Sequence, residues 1–172
     1  MAEGPLYHFS DEPGIARFVP RSPLSPPGVE PLVWAIDAWH APMYYVPREC
    51  PRACFWASER TSDADRERFG VRRDRRFVMV VEEAWWERLQ AATIFRYLLP
   101  PASFVLDDAT AGHYVSRDAM EPLAVEPLTG LPDRIRGEGV DLRVEPRLKG
   151  LWAEVVASTL EFSGTRLRNA LD

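Results

Sequence analysis

Short apolar runs, separated by prolines, glycines and charged residues, recur along the chain and predict more strands than helices. Runs such as Leu6–Phe9 are rich in β-branched or aromatic residues and too short for an ordinary helix. We therefore predict strands at Leu6–Phe9, Leu32–Ile36, Arg52–Ala57, Arg76–Val81, Ile94–Leu99, Tyr114–Ser116, Leu123–Glu126 and Leu142–Val144.

Helical patterns are fewer and mostly short. Asp37 is placed to cap a helix over Ala38–Tyr45, and Ser62 is placed to cap a charged helix that ends at Gly70. Apolar spacing predicts the remaining helices at Glu82–Gln90, Pro132–Arg136 and Leu148–Glu161, the longest, which Gly164 ends. Because helices and strands do not alternate regularly, the predicted fold class is α+β. We expect a mixed, split β-sheet core with short flanking helices.

The length and composition are those of a globular protein. At 172 residues, with 46% hydrophobic and 27% charged residues, the chain is expected to form a single domain over 1–172. The proline-rich stretch Arg21–Pro31 reads as an exposed loop. No apolar run approaches the length of a bilayer span and no leader precedes Leu6, so no membrane association is expected.

Charge and cysteine content narrow the expected partners. The net charge of −5 argues against a general nucleic-acid binder, which needs a basic surface. Cys50 and Cys54 are expected as thiols in a reducing cytoplasm. With His40 they lack the second close ligand pair of a structural zinc site, so no metal is expected.

His8, at the end of the first predicted strand, is the first candidate functional residue. Its two ring nitrogens suit either the orientation of a ribose hydroxyl or acid–base chemistry. The alternative is a histidine that only caps the turn after Ser10.

Two other segments carry candidate chemistry. Arg48 and Arg52 flank Pro51 and could present two guanidinium groups to a phosphate or carboxylate, or could simply pair with acids such as Glu49. Asp107 and Asp108 follow a Pro-Pro corner and could stabilise a cation or act as a base. Adjacent acids of this kind also serve as plain turn formers.

Several stretches resemble an uncharacterised bacterial family. They are Tyr-His-Phe-Ser from Tyr7, Val-Trp-Ala-Ile-Asp from Val33, Pro-Arg-Glu-Cys-Pro-Arg from Pro47 and the Arg-Leu-Arg-Asn end from Arg166. This resemblance covers nearly the whole chain and implies no activity.

A more distant resemblance is to small ADP-ribosyltransferases of the rifamycin-inactivating type. Leu6–Ser10 resembles that family's Tyr-x-His-Gly-Thr strand, with Phe9 at the glycine, and Val33–Asp37 resembles its second strand, with Trp34 at the tyrosine. The run Phe95–Asp108 resembles its strand, proline turn and Phe-x-Asp-Asp segment, and Tyr114–Asp118 resembles its Tyr-x-Ser-Arg segment after a shorter connector.

The second resemblance implies an ADP-ribosyltransferase-like fold with NAD as co-substrate. It implies that His8 orients the ribose, that Trp34 stacks near nicotinamide, and that Asp107 or Asp108 stabilises the oxocarbenium-like centre. The set implied for cofactor binding is Tyr7, Ser10, Trp34, Arg48 and Arg52.

The leading hypothesis is transfer of ADP-ribose to a small molecule or macromolecule. The alternatives are a non-catalytic domain that binds a nucleotide or other anion through Arg48 and Arg52, and a partner-binding protein with Trp39, Trp85 or Trp86 exposed.

Overall fold

The computed structural model describes residues 4–22 and 30–172, so most of the predicted loop Arg21–Pro31 lies outside the described residues. The chain divides into two compact units. Unit 1 comprises Met1–Tyr44 and Ile94–Leu128, and unit 2 comprises Tyr45–Thr93 and Thr129–Asp172. The single domain expected over 1–172 stays a prediction.

The described residues form ten strands and four α-helices. The strands are β1 (Leu6–Ser10), β2 (Val33–Asp37), β3 (Arg52–Trp56), β4 (Val78–Glu82), β5 (Ile94–Leu99), β6 (Val105–Asp108), β7 (His113–Ser116), β8 (Ala124–Leu128), β9 (Asp141–Glu145) and β10 (Glu161–Thr165). The helices are α1 (Asp63–Arg68), α2 (Trp86–Ala91), α3 (Leu131–Gly137) and α4 (Lys149–Val156). The predicted α+β class is confirmed.

Unit 1 is built on one antiparallel sheet of six strands in the order β6-β7-β2-β1-β5-β8. Side chains alternate between its faces, and one face carries a core cluster that includes Leu6, Val33, Ala35 and Tyr97. The Tyr97 hydroxyl donates to the carbonyl of Glu12 at 2.6 Å. This hydrogen bond satisfies a buried polar group and ties the turn after β1 to the sheet.

Unit 2 is built on a four-stranded sheet in the order β10-β3-β4-β9, in which β4 and β9 are parallel. Its core cluster contains Phe55 and Val80 from the sheet and Val155 from α4. Ser62 caps α1 as predicted, because its hydroxyl accepts from the backbone N–H of Asp65 at 3.1 Å.

The predicted helix Leu148–Glu161 is wrong in its second half. Helix α4 ends at Val156, and strand β10 follows it. The Ser158 hydroxyl turns the chain by donating to the carbonyl of Val155 and accepting from Leu160. Gly164 lies within β10 rather than after a helix, and a Cβ there would come within 2.6 Å of Trp152. Close packing, not helix capping, explains that glycine.

The segment after β2 also differs from the prediction. In place of a helix over Ala38–Tyr45, the chain forms only a 3₁₀ turn at Ala41–Tyr44, consistent with Pro42 and Pro47 limiting a regular helix. Asp37 still acts as a cap, because it accepts from the backbone N–H of His40 at 2.8 Å. Strand β6 was not predicted from the sequence, and it places Asp107 and Asp108 at the end of an edge strand of the sheet.

Candidate ligand-binding site

Three neighbouring strands of unit 1 bring an aromatic ring, an imidazole and two carboxylates together. Ile36 on β2 pairs with His113 on β7, and His113 pairs in turn with Asp108 on β6. The Trp34 ring meets the His113 ring edge to face, with centroids 5.8 Å apart, and 36% of Trp34 is exposed. The partly exposed ring of Trp34 therefore lies near the negatively charged carboxylates of Asp107 and Asp108.

His113 is the centre of this arrangement. Its Nε2 forms a 2.9 Å hydrogen bond with the Tyr44 hydroxyl. Burial lowers the pKa of His113, while the charges of Asp108 and Asp107 counteract part of that shift. The imidazole is therefore neutral at physiological pH, so the negative charge of the two aspartates is not cancelled by it.

A second histidine, His40, lies beside the β6–β7 hairpin and is hydrogen-bonded to Asp37. The Asp37 carboxylate accepts from Nδ1 of His40 at 2.8 Å. Burial alone would raise the pKa of Asp37, but the hydrogen bonds from His40 outweigh it, so that this pKa is lowered and the carboxylate stays ionised. Gly112 (φ +67°) packs against this pair, since a Cβ there would lie 2.1 Å from His40 Nδ1.

His8 does not join Trp34. Its ring packs on Phe18 of the core cluster, with centroids 4.9 Å apart, whereas Trp34 points to the opposite face because its neighbours Val33 and Ala35 enter that cluster. His8 Nδ1 donates to the backbone carbonyl of Trp34 at 2.9 Å. The structure therefore does not form the three-point cleft of His8, Trp34 and Asp107 or Asp108 that the sequence predicts.

The residues that flank His8 also have structural contacts. Tyr7 lies under the guanidinium of Arg96, 5.0 Å from the ring centroid. Ser10 is buried, and its hydroxyl accepts from the backbone N–H of Glu12 at 3.1 Å. Ser10 thus stabilises the turn after β1, and neither residue is brought to Trp34 by these contacts.

The two aspartates of β6 have different roles. Asp108 Oδ1 accepts hydrogen bonds from the backbone N–H groups of Thr110 and Ala111, at 2.8 and 3.0 Å. Asp108 is therefore a turn former, the alternative that the sequence left open for these aspartates. Asp107 lies at a break in the β6–β7 pairing and is exposed. Within the described residues its carboxylate accepts no hydrogen bond, so it is the aspartate available to a ligand.

Arg48 and Arg52, both in unit 2, are not presented as a pair. Arg52 is 3% exposed, and its Nη1 donates to the carbonyl of Cys50 at 3.1 Å. Arg48 remains on the surface. The expectation of two guanidinium groups aimed at one anion is wrong, because Arg52 begins β3 and its side chain enters the core of unit 2.

Other candidates from the sequence have simple structural explanations. Cys50 and Cys54 are buried free thiols, and burial raises the pKa of each to about 12. Trp85 and Trp86 are half-buried under Arg88 and Arg136. Trp39 is 37% exposed and contacts His40.

Sequence reasoning missed Tyr44 and His113 as site residues and did not pair Asp37 with His40. The spacing Asp-x-x-His within a turn was the available signal for that pair, since it lets a carboxylate cap the histidine backbone. Nothing local links Tyr44 to His113, because 69 residues separate them.

Two findings bear on ligand classes. Over the part of the chain that the structure describes, no helix has both the length and the hydropathy to cross a bilayer. Among the same residues, no group of three or more His, Cys, Asp or Glu side chains is arranged to hold a metal ion.

The fold and site define a mixed α+β protein with an aromatic and acidic sheet edge. The chain belongs to a family of unknown function, DUF6886, whose model matches residues 7–170. This match confirms the expectation that an uncharacterised family covers nearly the whole chain. Comparison with curated proteins and with solved structures finds no match.

Proposed function

We propose that unit 1 binds a cationic heteroaromatic ligand, of which the nicotinamide end of NAD is the leading example, on the surface of Trp34, His113 and Asp107. The observation that carries the proposal is the exposed Trp34 ring beside an exposed carboxylate edge. A π face attracts a cation placed over it, and a neighbouring carboxylate adds to that attraction.

Binding is favoured over ADP-ribosyl transfer by the position of His8. Transfer breaks the bond between the ribose C1′ and the ring nitrogen of nicotinamide, and the bonding electron pair leaves with nicotinamide. The acceptor then forms a bond to C1′ and loses a proton. Asp107 could stabilise the intervening positive charge. The histidine that the family resemblance assigns to the ribose, however, packs on Phe18 and donates to a backbone carbonyl. A non-catalytic binding domain therefore fits the geometry better than a transferase.

The experiment compares 1-methylnicotinamide, a cation because its ring nitrogen is methylated, with neutral nicotinamide by NMR titration of the full chain. We expect the cation to bind about 2- to 30-fold more tightly, the range that cation–π attraction provides. Equal affinities, or no binding of the cation at millimolar concentration, would overturn the proposal.

Variants locate the site. Trp34→Ala should abolish the preference for the cation and Trp34→Phe should keep part of it, because phenylalanine retains a π face. Asp107→Asn should weaken binding of the cation but not of neutral nicotinamide. Glu121→Gln, which removes the same charge from an exposed position of unit 1, is the control and should bind normally.

Incubation with NAD separates binding from transfer. The proposal expects binding without release of nicotinamide, measured by chromatography. Release that requires Asp107 would refute the non-catalytic assignment and restore the transferase hypothesis.

A further inference from the structure

A small cleft in unit 2 lies between the four-stranded sheet and the helices α1 and α4. Its volume is about 160 Å³, and its floor is formed by Phe55 of β3, Val80 of β4, Leu151 of α4 and Phe69, the residue after α1. Cavities of about 150 Å³ with an apolar lining accept a molecule of the size of benzene. We name this site, with the four charged residues of its rim that are described next, the β9 cleft.

The rim of the β9 cleft is charged because β9 is an edge strand of the sheet. Arg143 on β9 pairs with Val80 on β4 and lies on the same face of the sheet. Glu145, two residues further along β9, also lies on that face. Arg68 of α1 and Glu154 of α4 complete the rim. Since Val80 is 1% exposed and Glu145 is exposed, the cleft combines a buried apolar floor with a charged opening.

Both arginines of the rim are matched by acids of the protein. Arg68 Nη2 donates to Glu154 Oε2 at 2.9 Å. Arg143 donates from Nε and Nη2 to Asp141 Oδ2, at 3.1 and 2.7 Å, and donates to two backbone carbonyls at 2.8 Å. Within the described residues Glu145 forms no hydrogen bond and no ion pair. The charge that the rim offers to a ligand is therefore negative.

From this arrangement we infer that the β9 cleft binds a small primary amine that carries an apolar group of about the size of a benzene ring. The apolar group fills the floor of the cleft, and the ammonium ion meets the Glu145 carboxylate at the rim. A neutral ligand buries the same apolar surface but gains nothing from Glu145. An anionic ligand finds Arg68 and Arg143 already engaged by Glu154 and Asp141.

The test is NMR titration of the full chain at neutral pH with benzylamine, which is protonated there, and with benzyl alcohol, its neutral analogue. We expect benzylamine to bind about threefold more tightly, the scale of one partly exposed ion pair. Methylamine, which lacks the apolar group, should bind at least about tenfold more weakly than benzylamine. Equal affinities for benzylamine and benzyl alcohol, or tighter binding of the anion phenylacetate, would overturn the inference. Tighter binding of Nα-acetyl-lysine methylamide than of benzylamine would assign the cleft to a lysine of another protein and overturn the small-molecule assignment.

Two variants separate the charged part of the β9 cleft from its apolar part. Glu145→Gln should abolish the preference for benzylamine and leave the affinity for benzyl alcohol unchanged. Leu151→Ala should weaken both ligands alike, by about fourfold, the value of one buried methylene group. The control, Glu87→Gln, removes the same charge from an exposed position of α2, which contributes no residue to the cleft, and should bind both ligands normally.

A further variant keeps this inference separate from the proposed function. The β9 cleft lies in unit 2 and Trp34 lies in unit 1, so Trp34→Ala should leave the preference for benzylamine intact. Loss of that preference in Trp34→Ala would place the amine in unit 1 and refute the inference alone. Equal weakening of benzylamine by Glu145→Gln and Glu87→Gln would show an effect of net charge and also refute it. Thermal unfolding checks that each variant is folded, and Glu145→Gln, at an exposed position, should unfold at the wild-type temperature.

Discussion

Replacement of Gly112 by alanine would test whether the Asp37–His40 pair is built against the β6–β7 hairpin. The added Cβ would lie 2.1 Å from His40 Nδ1 and 2.7 Å from Asp37 Oδ2, distances at which atoms overlap. The backbone at Gly112 has φ +67°, so alanine there also adopts the left-handed conformation. Steric overlap and backbone strain therefore act together.

The expected loss follows from these two contributions. Left-handed backbone costs an L-residue about 1 to 2 kcal/mol. Relief of the overlap requires the His40 ring to move, and loss of its hydrogen bond to the ionised Asp37 costs about 1.5 to 3 kcal/mol. We expect Gly112→Ala to lower the free energy of unfolding by about 4 kcal/mol, measured by urea denaturation.

Gly14→Ala is the matched control within unit 1. Gly14 has φ +73°, but a Cβ there meets no atom within 4 Å, so only the backbone strain of about 1 to 2 kcal/mol applies. In a His40→Ala background, Gly112→Ala should cost less than it does in the wild type, because the ring 2.1 Å from Cβ is gone and only the Asp37 carboxylate, 2.7 Å away, still has to shift. Equal losses for the two glycine variants, or no relief by His40→Ala, would refute the reasoning.

Two further predictions concern the buried polar groups of unit 2. Burial raises the pKa of Cys50 and of Cys54 from the usual 9 to about 12 in the folded protein. Above about pH 9 the unfolded state therefore loses these protons first, and the free energy of unfolding falls by about 1.4 kcal/mol per pH unit for each thiol. Replacing both cysteines by alanine should remove this part of the pH dependence, and an unchanged slope would contradict the prediction. Glu82 is fully buried, and its carboxylate accepts hydrogen bonds from the backbone N–H groups of Leu148 and Leu171. Glu82→Ala should therefore lower the free energy of unfolding by about 3 kcal/mol, measured by urea denaturation, and expose the C-terminal residues to carboxypeptidase. Wild-type stability in that variant would show that these N–H groups have other acceptors.

Local patterns were a sound guide to the strands. The expected runs at Leu6, Leu32 and Ile94 correspond to β1, β2 and β5, because alternating burial on a sheet leaves a periodic trace in the sequence. The Ser62 cap is equally local, since the hydroxyl and the N–H that it binds are three residues apart. Helix ends were harder, as the change from α4 to β10 depends on a turn at Ser158 and on close packing at Gly164.

The candidate site was less predictable than the fold class. Trp34 and Asp107 were identified from residue type and family resemblance, and they lie with His113 on three neighbouring strands of one sheet. The role of His8 was not predictable in the same way. Its side chain packs against Phe18, whose backbone forms an isolated bridge with Met120, a contact that no local pattern indicates.

Strand composition, turn residues and charge thus made the α+β class and the approximate element positions evident from the residues alone. Which face each side chain occupies, whether Arg52 is buried, and which partners meet Glu49 depended on strand order and on contacts across more than a hundred residues. A strand pattern records that one face is buried but not which strands become neighbours. Long-range pairing, and the packing that selects it, therefore determined where the Trp34 surface formed.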